Sequence, residues 1–189
     1  GLIVTLGFKA AKFIQKSNLT SNVIHSYITE FEYQQFDAPL KNHTTLLLEQ
    51  PLQRYLAFIK ILLPIQNIAI IKKEDFRIEE SELSFLENKF EINLDQYLFK
   101  SSENPVNVIR NILRKNDVLL SLPDNDIYNR QSLKGILLNS YRQQKPVISY
   151  SPAHVKSGAL ASIYATPKNV GDQIGDLINQ MNQSASFRS

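Results

Sequence analysis

Apolar residues along this chain keep changing their spacing, from short unbroken runs to a helical period and back. Residues 2–6, 23–28, 44–48 and 67–71 are compact apolar runs bounded by glycine, proline or polar clusters, and each reads as a strand. The runs at 117–122 and 146–150 are almost wholly apolar, as strands covered on both faces would be. Residues 92–99 alternate, as a strand near a sheet edge would, and 159–164 reads as the last strand.

Between the runs the period becomes helical. Residues 8–16 form the first such stretch. Pro51 opens a helix that places Leu52, Tyr55, Leu56, Ile59 and Leu63 on one face, and Pro64 closes it. Residues 79–90 turn Leu83, Leu86 and Phe90 inward. Asn104-Pro105 combines a capping side chain with a proline suited to the first helical position, leading to Val106, Ile109 and Leu113. A further helix is expected over 130–143. Thr166-Pro167 caps a final one, with Val170, Ile174, Leu177 and Met181 on one side. The tail 182–189 is polar. Strands alternating with helices predict an α/β fold with parallel sheets and helices on both faces. One βα series ends and another begins near residues 64–66.

In open parallel sheets, ligands sit beyond the carboxyl ends of the strands. That rule selects Gly7-Phe8, residues 27–29 beginning at Tyr27, Asp124-Asn125, Tyr150-Ser151 and Tyr164. The set is rich in aromatic and small residues and has one acid, a composition suited to holding a small molecule. Each member also has a purely structural reading. Gly7 serves a turn that needs no Cβ, Asp124-Asn125 after Pro123 is itself a turn sequence, and Tyr128, Tyr141, Tyr150 and Tyr164 fit half-buried core positions.

Composition narrows the chemistry. The 189 residues are 43% hydrophobic, enough for one large domain or two smaller ones. Net charge is only +3, and the cations fall singly or in pairs such as Lys72-Lys73 and Arg114-Lys115, so no nucleic-acid partner is expected. The absence of cysteine excludes disulfides, thiolate metal sites and a cysteine nucleophile. His25, His43 and His154 are far apart without carboxylates at metal-ligand spacing, and each reads as a hydrogen-bonded surface residue. There is no Gly-x-Ser-x-Gly elbow, no P-loop, and no Gly-x-Gly-x-x-Gly after the first strand. Glu79-Glu80 and Asp172/Asp176 read as solvated helix faces. Neither catalytic residues, nor a metal, nor a cofactor is expected. No run reaches the length of a membrane span, and no basic-then-apolar leader is present, so any targeting signal is expected to lie outside this chain.

From Asp117 onward the sequence DVLLSLPDNDIYNRQSLKGILLNSYRQQKPVISYSPAHVKSGALASIYATPKNVGDQIGDLINQ resembles the ABC transporter substrate-binding family of the tryptophan/tyrosine type, in its proteobacterial branch. LIVTLGFKAAK resembles that family's first glycine turn, and EQPLQRYLAFIKILLP its linker helix. The resemblance implies a type I periplasmic-binding-protein fold of two Rossmann-like lobes. Residues 1–65 and 156–189 would form the first, lacking a preceding βα unit, and 66–155 the second. It implies a small ligand, an amino acid or related compound, captured in an interlobe cleft that closes by hinge motion. By the same analogy Gly7, Phe8 and Ala10 match a turn at a helix N-terminus suited to a carboxylate. Asp124 matches an acid that would face an ammonium group, with Asn125 beside it and Tyr150-Ser151 on the cleft floor.

Two departures separate the chain from the aromatic-amino-acid binders: Gly7-Phe8 replaces their Gly-Thr, and Thr29-Glu30-Phe31 stands where they carry Thr-Asp-Pro. The expected function is that of the solute-binding component of an ABC uptake system, serving a membrane permease. The alternative is a ligand-sensing module of the same fold that signals to a membrane receptor. Either would act in the periplasm or anchored to the outer side of the membrane.

Overall fold

The computed structural model describes residues 1–17, 19–36, 42–74 and 78–186, with side chains omitted for 183–186. The chain divides into two compact units, Gly1–Glu49 with Ala165–Ser189, and Gln50–Tyr164.

The first unit is a three-stranded parallel sheet in the order β1-β2-β3, formed by β1 (Leu2–Leu6), β2 (Asn22–Ile28) and β3 (His43–Leu47). Helix α1 (Phe8–Gln15) connects β1 to β2, and the short α2 (Glu30–Tyr33) follows β2. Thr29 and Glu32 form a reciprocal capping box at the start of α2, which the periodicity had not singled out. Central β2 contributes Val23, Ile24 and Ile28 to the core with no exposure. The last helix of the chain also belongs to this unit; at its start Thr166 and Asn169 exchange side-chain-to-backbone bonds.

The second unit carries α3 (Leu52–Leu62), β4 (Asn67–Lys73), α4 (Glu80–Phe90), β5 (Asn93–Phe99), α5 (Pro105–Ile112), β6 (Val118–Leu120), α6 (Leu133–Arg142), β7 (Val147–Ser149), α7 (Pro152–Lys156) and β8 (Ala161–Ser162), before α8 (Pro167–Ser186) returns to the first. Its sheet is parallel throughout, in the order β5-β4-β6-β7-β8. Alternation along β4 decides the layers. Ile68 and Ile70 face one core with Tyr55, Leu56 and Ile59 of α3 and Leu83 and Leu86 of α4. Ala69 and Ile71 face a second core with Ile109 and Ile112 of α5 and Ile136 and Leu137 of α6. A strand covered on both faces needs an unbroken apolar run, and an edge strand does not. β5 accordingly lies at the edge of this sheet, with its alternating pattern.

Three expectations meet a different arrangement. The division falls at Glu49/Gln50 and Tyr164/Ala165, where the sequence pattern pointed to residues 64–66 and the family resemblance implied 65/66 and 155/156. The reason is α3: Pro64 does end it, but its apolar face packs into the second unit's core, and the Tyr55 hydroxyl donates to the Ile163 carbonyl at 3.2 Å. The helix expected from residue 130 starts at Leu133, because Asn129 and Ser132 wind the preceding residues into a turn. There the Asn129 side chain accepts from the Gln131 and Ser132 amides, and the Ser132 hydroxyl donates to the Ile127 carbonyl. The strand expected over 159–164 shrinks to the two residues of β8. Part of the return segment folds instead as α7, capped by Ser151 with Pro152 at its first position.

Candidate functional site

Polar groups gather at the carboxyl end of β6 and β7 in the second unit. Pro123 stops the β6 run, and the chain turns at Asp124, whose Oδ1 accepts from the Asp126 amide at 2.9 Å and the Ile127 amide at 3.3 Å. This side-chain turn fixes the carboxylate without using Oδ2, which accepts no hydrogen bond among the described residues. Burial pushes the Asp124 carboxyl above its usual range, opposed by the two amides and by Lys73. Lys73 itself pairs with neighbouring Asp126.

Asp124 lies near Tyr128 and Tyr150; Ser121 neighbours the Tyr128 hydroxyl, and His154, held by Ser149, packs on Tyr150. The Tyr128 ring contacts both Tyr150 and His154, and Tyr150 and His154 meet edge to face at 4.9 Å. Ser149 Oγ lies 2.7 Å from His154 Nδ1, which orients the imidazole from the end of β7. Burial lowers the His154 pKa and raises that of Tyr150, with the Asp124 charge adding to the latter. Tyr128 is raised further, because its hydroxyl is wholly enclosed; the nearby Ser121 hydroxyl opposes the shift. Ser121 Oγ and Tyr128 Oη are both buried and neighbour each other, with no further hydrogen-bond partner among the described residues.

The other residues expected in this region are placed as follows. Asn125 is exposed, and its carbonyl accepts from the Asn129 side chain. Tyr150 is half-buried beside His154. The Ser151 hydroxyl accepts from the Ala153 amide as the α7 cap, and its own amide donates to Ser149 Oγ.

The first unit holds its candidates separately. Gly7 has φ 82°, a left-handed conformation that favours a residue without Cβ, and it donates its amide to the Ser26 carbonyl at 2.8 Å. That amide is therefore committed to the sheet. Phe8 starts α1 and stacks on Phe36 with ring centroids 5.8 Å apart, and Lys12 Nζ lies over the Phe8 ring, 5.3 Å from its centroid. Ala10 is exposed in the first turn. Tyr27 has φ 57° and occupies a bulge, since β2 carries one residue more between His25 and Ile28 than β3 does between Thr45 and Leu47. Bulges of this kind re-aim a side chain at a strand end.

Ser121, Ser149 and His154 were not visible as site residues in the sequence. His25 and His154 had read as surface residues, and both are buried. The signal for His154 is its place on α7, itself announced by Ser151-Pro152. Among the described residues no three His, Cys, Asp or Glu side chains come together as a metal set, and no helix is long and apolar enough to cross a membrane.

The sequence profile of the family described as ABC transporter substrate binding protein matches residues 1–186. The chain belongs to this family. Its fold is similar to that of several solved structures. A conserved domain protein from Vibrio cholerae aligns with TM-score 0.64 at 21% identity, over 96% of this chain and 64% of that one. An ABC domain in complex with L-Trp from Streptococcus pneumoniae aligns with TM-score 0.64 at 20% identity, over 95% and 64%. The ligand-free, open form of CD0873 from Clostridium difficile, a substrate-binding protein with adhesive properties, aligns with TM-score 0.64 at 17% identity, over 94% and 64%. The chain thus spans just under two thirds of the length of each structure. No curated protein matches it.

Proposed function

We propose that this chain acts as the solute-binding component of an ABC-type uptake system. It would hold one small molecule on the turns at its strand ends and deliver it to a membrane permease from the outer side of the membrane. Capture is stoichiometric: a ligand that contacts one conformation better than another shifts the population toward it. Family membership over residues 1–186 supports the transport role.

The observation that carries the binding reading is the Asp124 constellation. A half-buried carboxylate, whose Oδ2 accepts no hydrogen bond among the described residues, sits near Tyr128 and Tyr150, and the Tyr150 ring meets that of His154. That set matches a ligand with a positively charged group and an adjacent hydrogen-bonding group, as in amino acids and related amines. Asn125 and Ser151 are the other proposed ligand-binding residues of the second unit, and Gly7, Phe8, Ala10 and Tyr27 are those proposed for the first, each unit taken by itself.

Thermal-shift screening against amino acids, nucleosides and small organic acids tests the reading. A bound solute raises the melting temperature as its concentration exceeds Kd. A rise with amine-bearing compounds is the expected result. A rise confined to amine-free acids would remove Asp124 from the site, and a flat response across all three classes would overturn the solute-binding reading.

A further inference from the structure

Cations that are scattered in the sequence come together on one helical layer of the second unit. Helices α5 and α6 lie side by side, and Gly135 lets them approach: a Cβ there would stand 3.0 Å from both methyls of Val106. The Gln143 side chain, just past α6, donates to the Arg110 carbonyl at 3.2 Å and joins the far ends of the two helices. On α6, Ile136, Leu137 and Ser140 face inward, while Lys134, Leu138, Tyr141 and Arg142 recur at helical spacing on the exposed side. On α5 and the turn after it, Arg110, Arg114 and Lys115 are exposed.

No aspartate or glutamate occurs in α5, in α6 or in residues 113–116. The nearest acid in sequence, Asp117, receives the Gln66 and Asn67 amides and has Lys145 at 3.5 Å. None of Arg110, Arg114, Lys115, Lys134 and Arg142 has an ion-pair partner among the described residues. The acids of this unit concentrate elsewhere, with Glu79, Glu80, Glu82, Glu87 and Glu91 on and around α4. In the middle of the basic layer, Tyr141 is 82% exposed and Leu138 45%.

We propose that the outer face of α5 and α6 is a docking surface for an acidic patch on a partner protein. A face of one sign repels itself and is relieved when carboxylates cover it. Three of the five cations are arginines, whose planar fork suits paired carboxylates. An exposed tyrosine and leucine among arginines is the composition of a protein contact. A helix lying in a lipid surface would need a continuous apolar face, and here the exposed positions of α5 and of the turn after α6 include Asn107, Asn111 and Gln144.

The test uses the full chain and an acidic glutamate-rich peptide as probe, followed by fluorescence anisotropy at low and high salt. One triple variant neutralises the face: Arg110→Gln, Arg114→Gln and Arg142→Gln. A second, Arg54→Gln, Lys60→Gln and Lys89→Gln, removes the same charge from α3 and α4. Melting curves establish that both variants fold.

The expected result is salt-sensitive binding that drops about tenfold in the first variant and stays near wild type in the second. Equal loss in both would reduce the effect to net charge and overturn the proposal. Binding to phosphatidylglycerol vesicles but not to the peptide would also overturn it, assigning the face to lipid headgroups. Concentration-dependent self-association that the first variant abolishes would assign it to a second copy of the chain.

Discussion

His25 Nε2 lies 2.9 Å from His43 Nδ1, and on the other side of the same ring Nδ1 lies 2.7 Å from Thr5 Oγ1. Three neighbouring parallel strands are therefore joined by side chains as well as by their backbone ladder. In register His25 faces Thr45, so the two imidazoles meet on the diagonal. Burial, and then the facing His43, lower the His25 pKa to about 4. An unfolded histidine titrates near about 6.5, so between these values the unfolded chain binds more protons than the folded one. Stability is expected to be full above the upper value and to fall as pH drops toward the lower. Urea unfolding at a series of pH values checks this, and His25→Gln should flatten the slope.

Asp124→Asn keeps the side-chain oxygen that accepts from the Asp126 and Ile127 amides, so the turn should survive. Affinity for an amine-bearing solute should weaken by about 1–3 kcal/mol through loss of the charged hydrogen bond. Calorimetric titration with a solute found by the thermal screen reads this directly, and unchanged affinity would place the ligand elsewhere.

Tyr27 holds a left-handed conformation that costs a residue with a Cβ about 1–2 kcal/mol. Comparing two substitutions isolates that cost, since both delete the ring. Tyr27→Gly should be more stable than Tyr27→Ala by about 1 kcal/mol. Equal melting temperatures would show that the bulge is not under strain.

Gly135→Val would drive a branched side chain into Val106, whose methyls would stand 3.0 Å from even a bare Cβ, closer than ordinary van der Waals contact. Overpacking of this kind costs about 1–3 kcal/mol. The double change with Val106→Ala should recover part of the loss in denaturant titration, because the two sites share one contact.

Sequence and structure agree most closely where the determinant is local. The apolar run around Leu119 gave a central strand, the alternation around Gln96 an edge strand, and Asn104-Pro105 a capped helix whose Asn104 Oδ1 accepts from Val106 and Asn107. The helices α2 and α7 also had local signals, the Thr29–Glu32 box and Ser151-Pro152, but both are too short to show a period. The remaining features are non-local. The His25–His43 contact follows from strand pairing, the neighbourhood of His154 and Asp124 from the adjacency of β6 and β7, and the basic layer from Gly135 drawing α5 and α6 together. Spacing along a chain records none of these. The division into compact units differs from the one expected at residue 65 for a related reason, since Pro64 marks the end of α3 without saying which core the helix joins.

Every strand in both units runs parallel to its neighbours, and the expected ligand-binding residues lie at or just past the carboxyl ends of strands. Scaffold and reading surface are consequently separable heritable parts. The ladders and the two apolar cores of the second unit depend on positions such as Ile70 and Leu119, whereas turns such as the one at Asp124 lie outside both cores. A lineage built this way can exchange turn residues, and so the polar groups it offers at its strand ends, with each intermediate still folded.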